Sequence, residues 1–226
     1  MMLVFEDRAA LAQRLAQDTA TALANRLKIN ESAWLAVSGG STPGLFFQAL
    51  SQAELEWSRI GVTLVDERWV PQESPRSNEA LVRQSLLVNK AAAARFVPLY
   101  NGAATPEAGL ESVQALFASL PLPFAAVILG MGEDGHTASF FPGGDHLAAA
   151  LDPAPGQLLE SMHAPGAGEP RITFTLPPLV GADFVALHIE GGAKQAVLAQ
   201  ARAPGLVDEM PIRAILPHKP HILWCP

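Results

Sequence analysis

Short apolar runs recur along this chain, each cut off by glycine or charged residues and followed by a stretch with helical spacing. That alternation limits the folds open to it. Trp34 to Val37, Val62 to Val65, Ala125 to Leu129, Phe184 to Ile189 and His221 to Cys225 read as strands. Glu6 to Lys28, Leu45 to Leu50, Asn78 to Leu87, Pro106 to Leu120 and Ala193 to Ala201 carry the helical pattern. Apolar runs without polar alternation suit strands buried on both faces. The expected class is therefore α/β: a single-domain, mainly parallel, doubly wound (Rossmann-like) sheet flanked by helices, with right-handed crossovers. Arg171 to Leu176 alternates and adds a β-like segment. No repeat or linker divides the 226 residues, a length suited to one core. Pro142 to Pro170 is rich in loop formers, and Pro153 to Gly168 is expected to be a surface excursion.

In open α/β sheets ligands bind outside the carboxyl ends of the strands, so the segments that follow each strand are where chemistry is sought. After Leu129 the chain reads Gly-Met-Gly-Glu-Asp-Gly-His-Thr-Ala-Ser-Phe-Phe-Pro-Gly from Gly130 to Gly143. His136 is the side chain best able to take and return a proton near neutral pH, and Asp134 can orient its ring. Taken alone, the same residues also fit a connecting turn with an ordinary surface histidine. Gly130, Gly132 and Gly135 match G-x-G-x-x-G, but no apolar helix opens there. Pro142 and two glycines follow, and no acidic residue sits at a strand end about 20 positions on. A dinucleotide site is excluded on that context.

Ser38-Gly39-Gly40-Ser41-Thr42-Pro43 lies between a strand and a helix, with Pro43 at the first helical position. Free N–H groups at a helix start, with Gly39, Gly40, Ser41 and Thr42 around them, make an anion pocket; an ordinary Ser/Thr helix cap is the plainer reading. The spelling fits neither a P-loop nor G-x-S-x-G. Asp66-Glu67-Arg68 ends a strand with two carboxylates and a guanidinium. Arg68 is suited to clamp a substrate oxygen and Asp66 to orient hydroxyls, while a solvated strand end is the alternative. Arg171 and Lys194 fall at sheet edges, where a phosphate dianion takes a bidentate Arg and a point-charge Lys.

Charge and composition remove whole classes. The net charge of −7 without a basic cluster argues against nucleic acid, but not against a small anion in a cleft of locally focused positive charge. No apolar run approaches 18 residues and no signal-peptide pattern follows Met1, so neither membrane insertion nor export is expected. Cys225, the only cysteine, fits a reducing cytoplasm and a buried strand position. Asp134, His136, Asp145 and His146 lack a known ligand spacing, as do His218 and His221, so no metal is expected.

Together the motifs coincide with a family. Ser38 to Pro43, Asp66-Glu67-Arg68-Trp69-Val70-Pro71 with Ser77-Asn78, Gly130 to Gly143, Arg171-Ile172-Thr173-Phe174-Thr175-Leu176, then Gly192 and Lys194 occur in one order. The chain resembles the 6-phosphogluconolactonases of the pentose phosphate pathway over nearly its whole length. The wider group includes glucosamine-6-phosphate deaminase, whose Asp-Gly-His turn continues Ile-Ala-Phe-Asn-Glu. Here it continues Thr137-Ala138-Ser139-Phe140-Phe141 without the glutamate, and the deaminases' Asp-Glu-Tyr is Asp66-Glu67-Arg68. The resemblance implies hydrolysis of a phosphorylated sugar lactone with no metal or organic cofactor. It places the phosphate on Gly39, Gly40, Ser41 and Thr42, gripped by Arg171 and Lys194, with His136 as general base, Asp134 holding it and Arg68 on substrate oxygens. The deaminase and a non-catalytic sugar-phosphate sensor are the alternatives. The oligomeric state, monomer or dimer, is open.

Overall fold

A computed structural model describes residues 2–226. In chain order the elements are β1 (Met2–Val4), α1 (Arg8–Leu27), β2 (Ala33–Val37), α2 (Gly44–Ser51), β3 (Ile60–Leu64), β4 (Asp66–Arg68), α3 (Asn78–Ser85) and β5 (Arg95–Phe96). They continue with α4 (Pro106–Ala118), β6 (Ala126–Leu129), α5 (Leu147–Leu151), β7 (Leu159–Met162), β8 (Arg171–Phe174), α6 (Leu176–Val180), β9 (Phe184–Glu190), α7 (Gly191–Arg202) and β10 (His221–Cys225). Seven strands form one sheet in the order β1-β10-β9-β6-β2-β3-β5, and every pairing in it is parallel. From β2 the chain works outward through β3 to β5, then returns to β6 on the other side of β2 and continues to β9 and β10. Strand order thus reverses between β2 and β6, which opens a crevice above their carboxyl ends.

The apolar runs become the sheet because both of its faces are covered. Every residue of β2, β3 and β6 is buried. Against one face lies α1, started by Asp7, whose Oδ1 accepts from the Ala10 N–H at 2.8 Å. Leu11, Leu15 and Leu23 on this helix are fully buried. Each contributes roughly 1.5–3 kcal/mol by leaving water.

Where the sequence suggested a loop-rich excursion, the structure holds α5 and the fully buried strand β7. β7 pairs antiparallel with β8, and β8 with β4, in a separate three-stranded sheet of order β4-β8-β7. Leu159, Met162, Ile172 and Phe174 bury their side chains in its core. The proline and glycine content of residues 153–168 masked this strand, because the residues that order it lie on other segments. β8 stops at Phe174, and Pro177 and Pro178 sit in the first turn of α6, a position where proline needs no backbone N–H.

Glu67 joins this small sheet to α3. Its carboxylate accepts from the N–H groups of Arg68, Asn78 and Glu79, each at 2.8 Å, and from Ser77 Oγ at 3.1 Å. Burial pushes the Glu67 carboxyl above its ordinary pKa, opposed by the backbone N–H donors and reinforced by neighbouring Asp66. Of the two acids in Asp66-Glu67-Arg68, Glu67 is therefore a helix anchor. Glu67→Ala strands those buried donors, so a loss of about 1–3 kcal/mol is expected. Urea denaturation should show it as a lower midpoint with an unchanged slope; an unaltered midpoint would remove Glu67 from this role.

Candidate active site

The crevice at the strand reversal is a cleft of about 350 Å³. The loops after β2 and β6 are stitched together there: Ser38 N–H donates to Ile128 O at 2.9 Å and Gly130 N–H to Ser38 Oγ at 3.1 Å. Above β2 the chain passes through Gly39, whose missing side chain is required. A Cβ at that position would lie 2.0 Å from Asn78 Oδ1, and Asn78 is itself fixed by donating Nδ2–H to Asp66 O at 3.0 Å. Pro43 is the N-cap of α2, so the helix starts one residue later than the sequence suggested, and no side chain caps it. The first intrahelical bond is Phe47 N–H to Pro43 O at 2.8 Å. The N–H groups of Gly44, Leu45 and Phe46 thus stay free of helix partners, and Ser41 and Thr42 line the cleft beside them. Uncommitted donors at the positive end of a helix suit an anion.

Across the crevice the turn after β6 presents His136. Its Nδ1 lies 2.6 Å from Asp134 Oδ1, which also accepts from the His136 N–H at 3.0 Å. Burial alone would raise the Asp134 carboxyl, but the two His136 hydrogen bonds and the imidazole charge outweigh it and hold the acid at about 2. An ionised carboxylate only accepts hydrogen bonds. In the neutral ring the proton therefore sits on Nδ1, and Nε2 keeps the free lone pair. The ring lies on Phe141 at a 4.4 Å centroid distance and 32° tilt. Gly132 makes this turn possible, since a Cβ there would come within 2.1 Å of His136 Nδ1. Thr137 closes the turn by donating its hydroxyl to Gly130 O at 2.7 Å.

The small sheet supplies cations from one side. Arg171 is only 6% exposed yet borders the cleft. Its Nη2 donates to Ala167 O at 2.6 Å and its Nε to Glu169 O at 3.3 Å, with Nη1 3.7 Å from Asp66 Oδ2. The guanidinium also covers the Phe141 ring at 5.3 Å. Burial lowers the Arg171 pKa from its ordinary value, and Asp66 pulls it back up. Asp66 takes a further bond from Ser139 Oγ at 2.6 Å; it reaches the cleft wall and steadies the residues around it. Arg68 gives Nη1–H to Arg76 O at 2.5 Å, while its buried Nε has no partner. From the far side Lys194, in the opening turns of α7, enters the cleft and pairs with no acid among the described residues.

One cleft is thus lined by nine of the ten residues singled out from the sequence, and the tenth, Asp134, lies behind His136 and holds its ring. Arg76 and His188 also border it, and sequence reasoning missed both. His188 is 4% exposed and pairs Nε2 with Glu190 Oε1 at 3.1 Å; its only signal was a titratable residue inside an apolar strand. Arg76 sits in a polar loop and carried no signal. Among the described residues, no three or more His, Cys, Asp or Glu side chains gather to hold a metal ion, and no helix is long and apolar enough to cross a membrane. Chemically the cleft offers an oriented base together with cationic side chains and free N–H donors.

A family model described as glucosamine-6-phosphate isomerases/6-phosphogluconolactonase matches residues 6–224. The 6-phosphogluconolactonase of Rhizobium meliloti is 53% identical to the chain, covering 100% of it and 98% of its own length. That of Pseudomonas aeruginosa is 42% identical, covering 99% and 94%. The crystal structure of a 6-phosphogluconolactonase from Shewanella baltica superposes with a TM-score of 0.96 at 38% identity, over 100% of this chain and 97% of that one. A monomeric glucosamine-6-phosphate deaminase shares the fold, with a TM-score of 0.76 at 16% identity.

The Asp134–His136 pair sets a pH dependence. Asp134 titrates at about 2 in the folded protein against 3.8 for the free side chain. A depressed acid pKa adds stability above the unfolded value, and that stability is lost as pH falls through the folded one. Asp134→Asn should therefore lower stability by a small amount above pH 4, where the carboxylate is ionised in the folded and unfolded states alike. Acid denaturation of the two proteins should converge as pH approaches 2; a difference that grows below pH 4 would contradict the assignment.

Proposed function

The chain belongs to the family of glucosamine-6-phosphate isomerases and 6-phosphogluconolactonases, and from that premise we propose how it hydrolyses 6-phospho-D-glucono-1,5-lactone to 6-phospho-D-gluconate in the oxidative pentose phosphate pathway. The observation that carries the reading is an oriented base, His136 on Asp134, sharing one cleft with the cations Arg68, Arg171 and Lys194. The turn after His136 also fits a lactonase. Where the deaminase turn ends in its glutamate, this one has Phe141, whose ring lies against His136 at 4.4 Å.

In this reading the substrate's phosphate rests on the free N–H groups opening α2, with Gly39, Gly40, Ser41 and Thr42 around it and Arg171 and Lys194 supplying charge. The lactone carbonyl then lies toward His136. Nε2 takes a proton from water as the oxygen adds to the carbonyl carbon, and the excess charge on the carbonyl oxygen is met by the Arg68 guanidinium, which borders the cleft. Collapse of the tetrahedral species breaks the bond to the ring oxygen, and the proton on Nε2 passes to that leaving oxygen. The carboxylic acid formed ionises at neutral pH, so each turnover releases one proton to solvent. Asp134 keeps Nδ1 protonated throughout. The chain acts as one domain, and its lone cysteine, Cys225, buried in β10, fits work in the reducing cytoplasm.

Proton release on lactone addition tests the reaction directly. His136→Ala should lower kcat by roughly 10²- to 10⁴-fold, the usual weight of general acid–base catalysis, with a smaller change in KM. Near-normal turnover in the folded variant would remove His136 from the mechanism. Arg171→Ala and Lys194→Ala should each weaken binding of the phosphorylated lactone roughly ten- to a hundredfold. The unphosphorylated lactone is the control: an equal loss on it would mean that the two residues act structurally.

A further inference from the structure

One contact at the rim of the cleft links the supports of Arg68 and Arg171. The loop before α3 and the loop before β8 meet where the Arg76 guanidinium grips Glu169 at two points, Nε to Oε1 at 2.6 Å and Nη2 to Oε2 at 2.8 Å. Each end of this bridge also serves an arginine in the cleft. Arg76 O accepts from Arg68 Nη1 at 2.5 Å. Glu169 O accepts from Arg171 Nε at 3.3 Å, and Ala167 O, two residues earlier, accepts from Arg171 Nη2 at 2.6 Å.

For stability the bridge counts for little, because its side chains are 54% and 28% exposed and exposed pairs are screened by solvent. Its two-point geometry is what matters, since a planar fork on a carboxylate fixes orientation as well as distance. The segment it restrains needs that. Gly166 and Gly168 flank Ala167, and Gly168 has a φ of +76°; within the segment the buried Ala167 is tied by its N–H to Ala164 O at 3.0 Å, and the bridge at Glu169 restrains the far side. Hydrogen bonds from Arg76 hold the Glu169 carboxyl at about 2, against a small opposing effect of burial, and the pair is ionised throughout the neutral range.

We propose that the Arg76–Glu169 bridge is a positioning strap, fixing the carbonyls that aim Arg68 and Arg171 at the substrate without itself touching it. This rests on the reading that those two arginines hold the phosphorylated lactone. The rival role for Arg76 is direct: it borders the cleft, and a guanidinium there would attract the anion by itself.

The two roles differ in the sign of one effect. If Arg76 binds substrate, removing Glu169 frees its charge and lowers KM, whereas removing Arg76 raises KM. If the bridge is a strap, Arg76→Ala and Glu169→Ala both raise KM for the phosphorylated lactone, roughly three- to tenfold and by less than Arg171→Ala. The double variant should then be no worse than the weaker-binding single, because both remove one contact. Arg76→Lys and Glu169→Gln, which keep the bulk but not the two-point grip, should fall between wild type and the alanine variants; they replace the alanine variants if those do not fold. Opposite shifts in KM, or unchanged KM in both variants, overturn the strap. Arg171→Ala is measured alongside. If it too leaves KM unchanged, the phosphate reading fails and takes the strap with it; if it raises KM while the bridge variants do not, the strap alone is wrong.

Discussion

The reversal of strand order between β2 and β6 is the constraint from which the site follows. On either side of it the connections leave the sheet in opposite directions, so nothing in the main chain covers the carboxyl ends of these two strands. What fills the gap is two turns, one after each strand, and their composition answers the crowding there. Gly39 yields to the Asn78 side chain and Gly132 to the His136 ring, at distances where a Cβ would overlap. The glycines bring backbone donors and the imidazole close to the same small space, so the tightness of the turns and the chemistry of the cleft have one cause.

The second sheet solves an electrostatic difficulty. An Arg at 6% exposure and a Glu at 1% would be costly in an apolar interior, since buried charge must be matched by hydrogen bonds. Here the matching groups are largely backbone. Arg171 is met by the carbonyls of Ala167 and Glu169, with the Asp66 carboxylate 3.7 Å away, and Glu67 by the N–H groups opening α3. A chain of net charge −7 can present a locally positive cleft.

The sheet and the site were legible in the sequence to different degrees, for physical reasons. The central strands announced themselves because burial on both faces demands unbroken apolar runs, as in Ala125 to Leu129. The His136 turn was visible because glycine, carboxylate and imidazole cluster within a few residues. β7 was hidden: its run Leu159-Glu160-Ser161-Met162 carries an acid and a hydroxyl that are buried only because Gln157, His146 and the backbone satisfy them. The anchoring role of Glu67 was not visible because its donors Ser77, Asn78 and Glu79 lie ten to twelve positions downstream. Arg76 and Glu169 are separated by 93 positions, and no local pattern relates them.

The cleft also separates two kinds of work. Asp134 and His136 form a local pair, two residues apart and closed by their own turn, so the ring's tautomer is set whatever the rest of the molecule does. The cationic end is the opposite case. Arg68, Arg171 and Lys194 come from β4, β8 and α7, and their relative placement depends on the packing of two sheets and a helix. A proton-transfer geometry demands sub-ångström control, which a tight turn provides within a few bonds. A phosphate dianion tolerates looser placement, because charge attraction falls off slowly with distance. In the proposed mechanism, the most local structure serves the step most sensitive to distance, and binding is left to groups that only tertiary folding brings together.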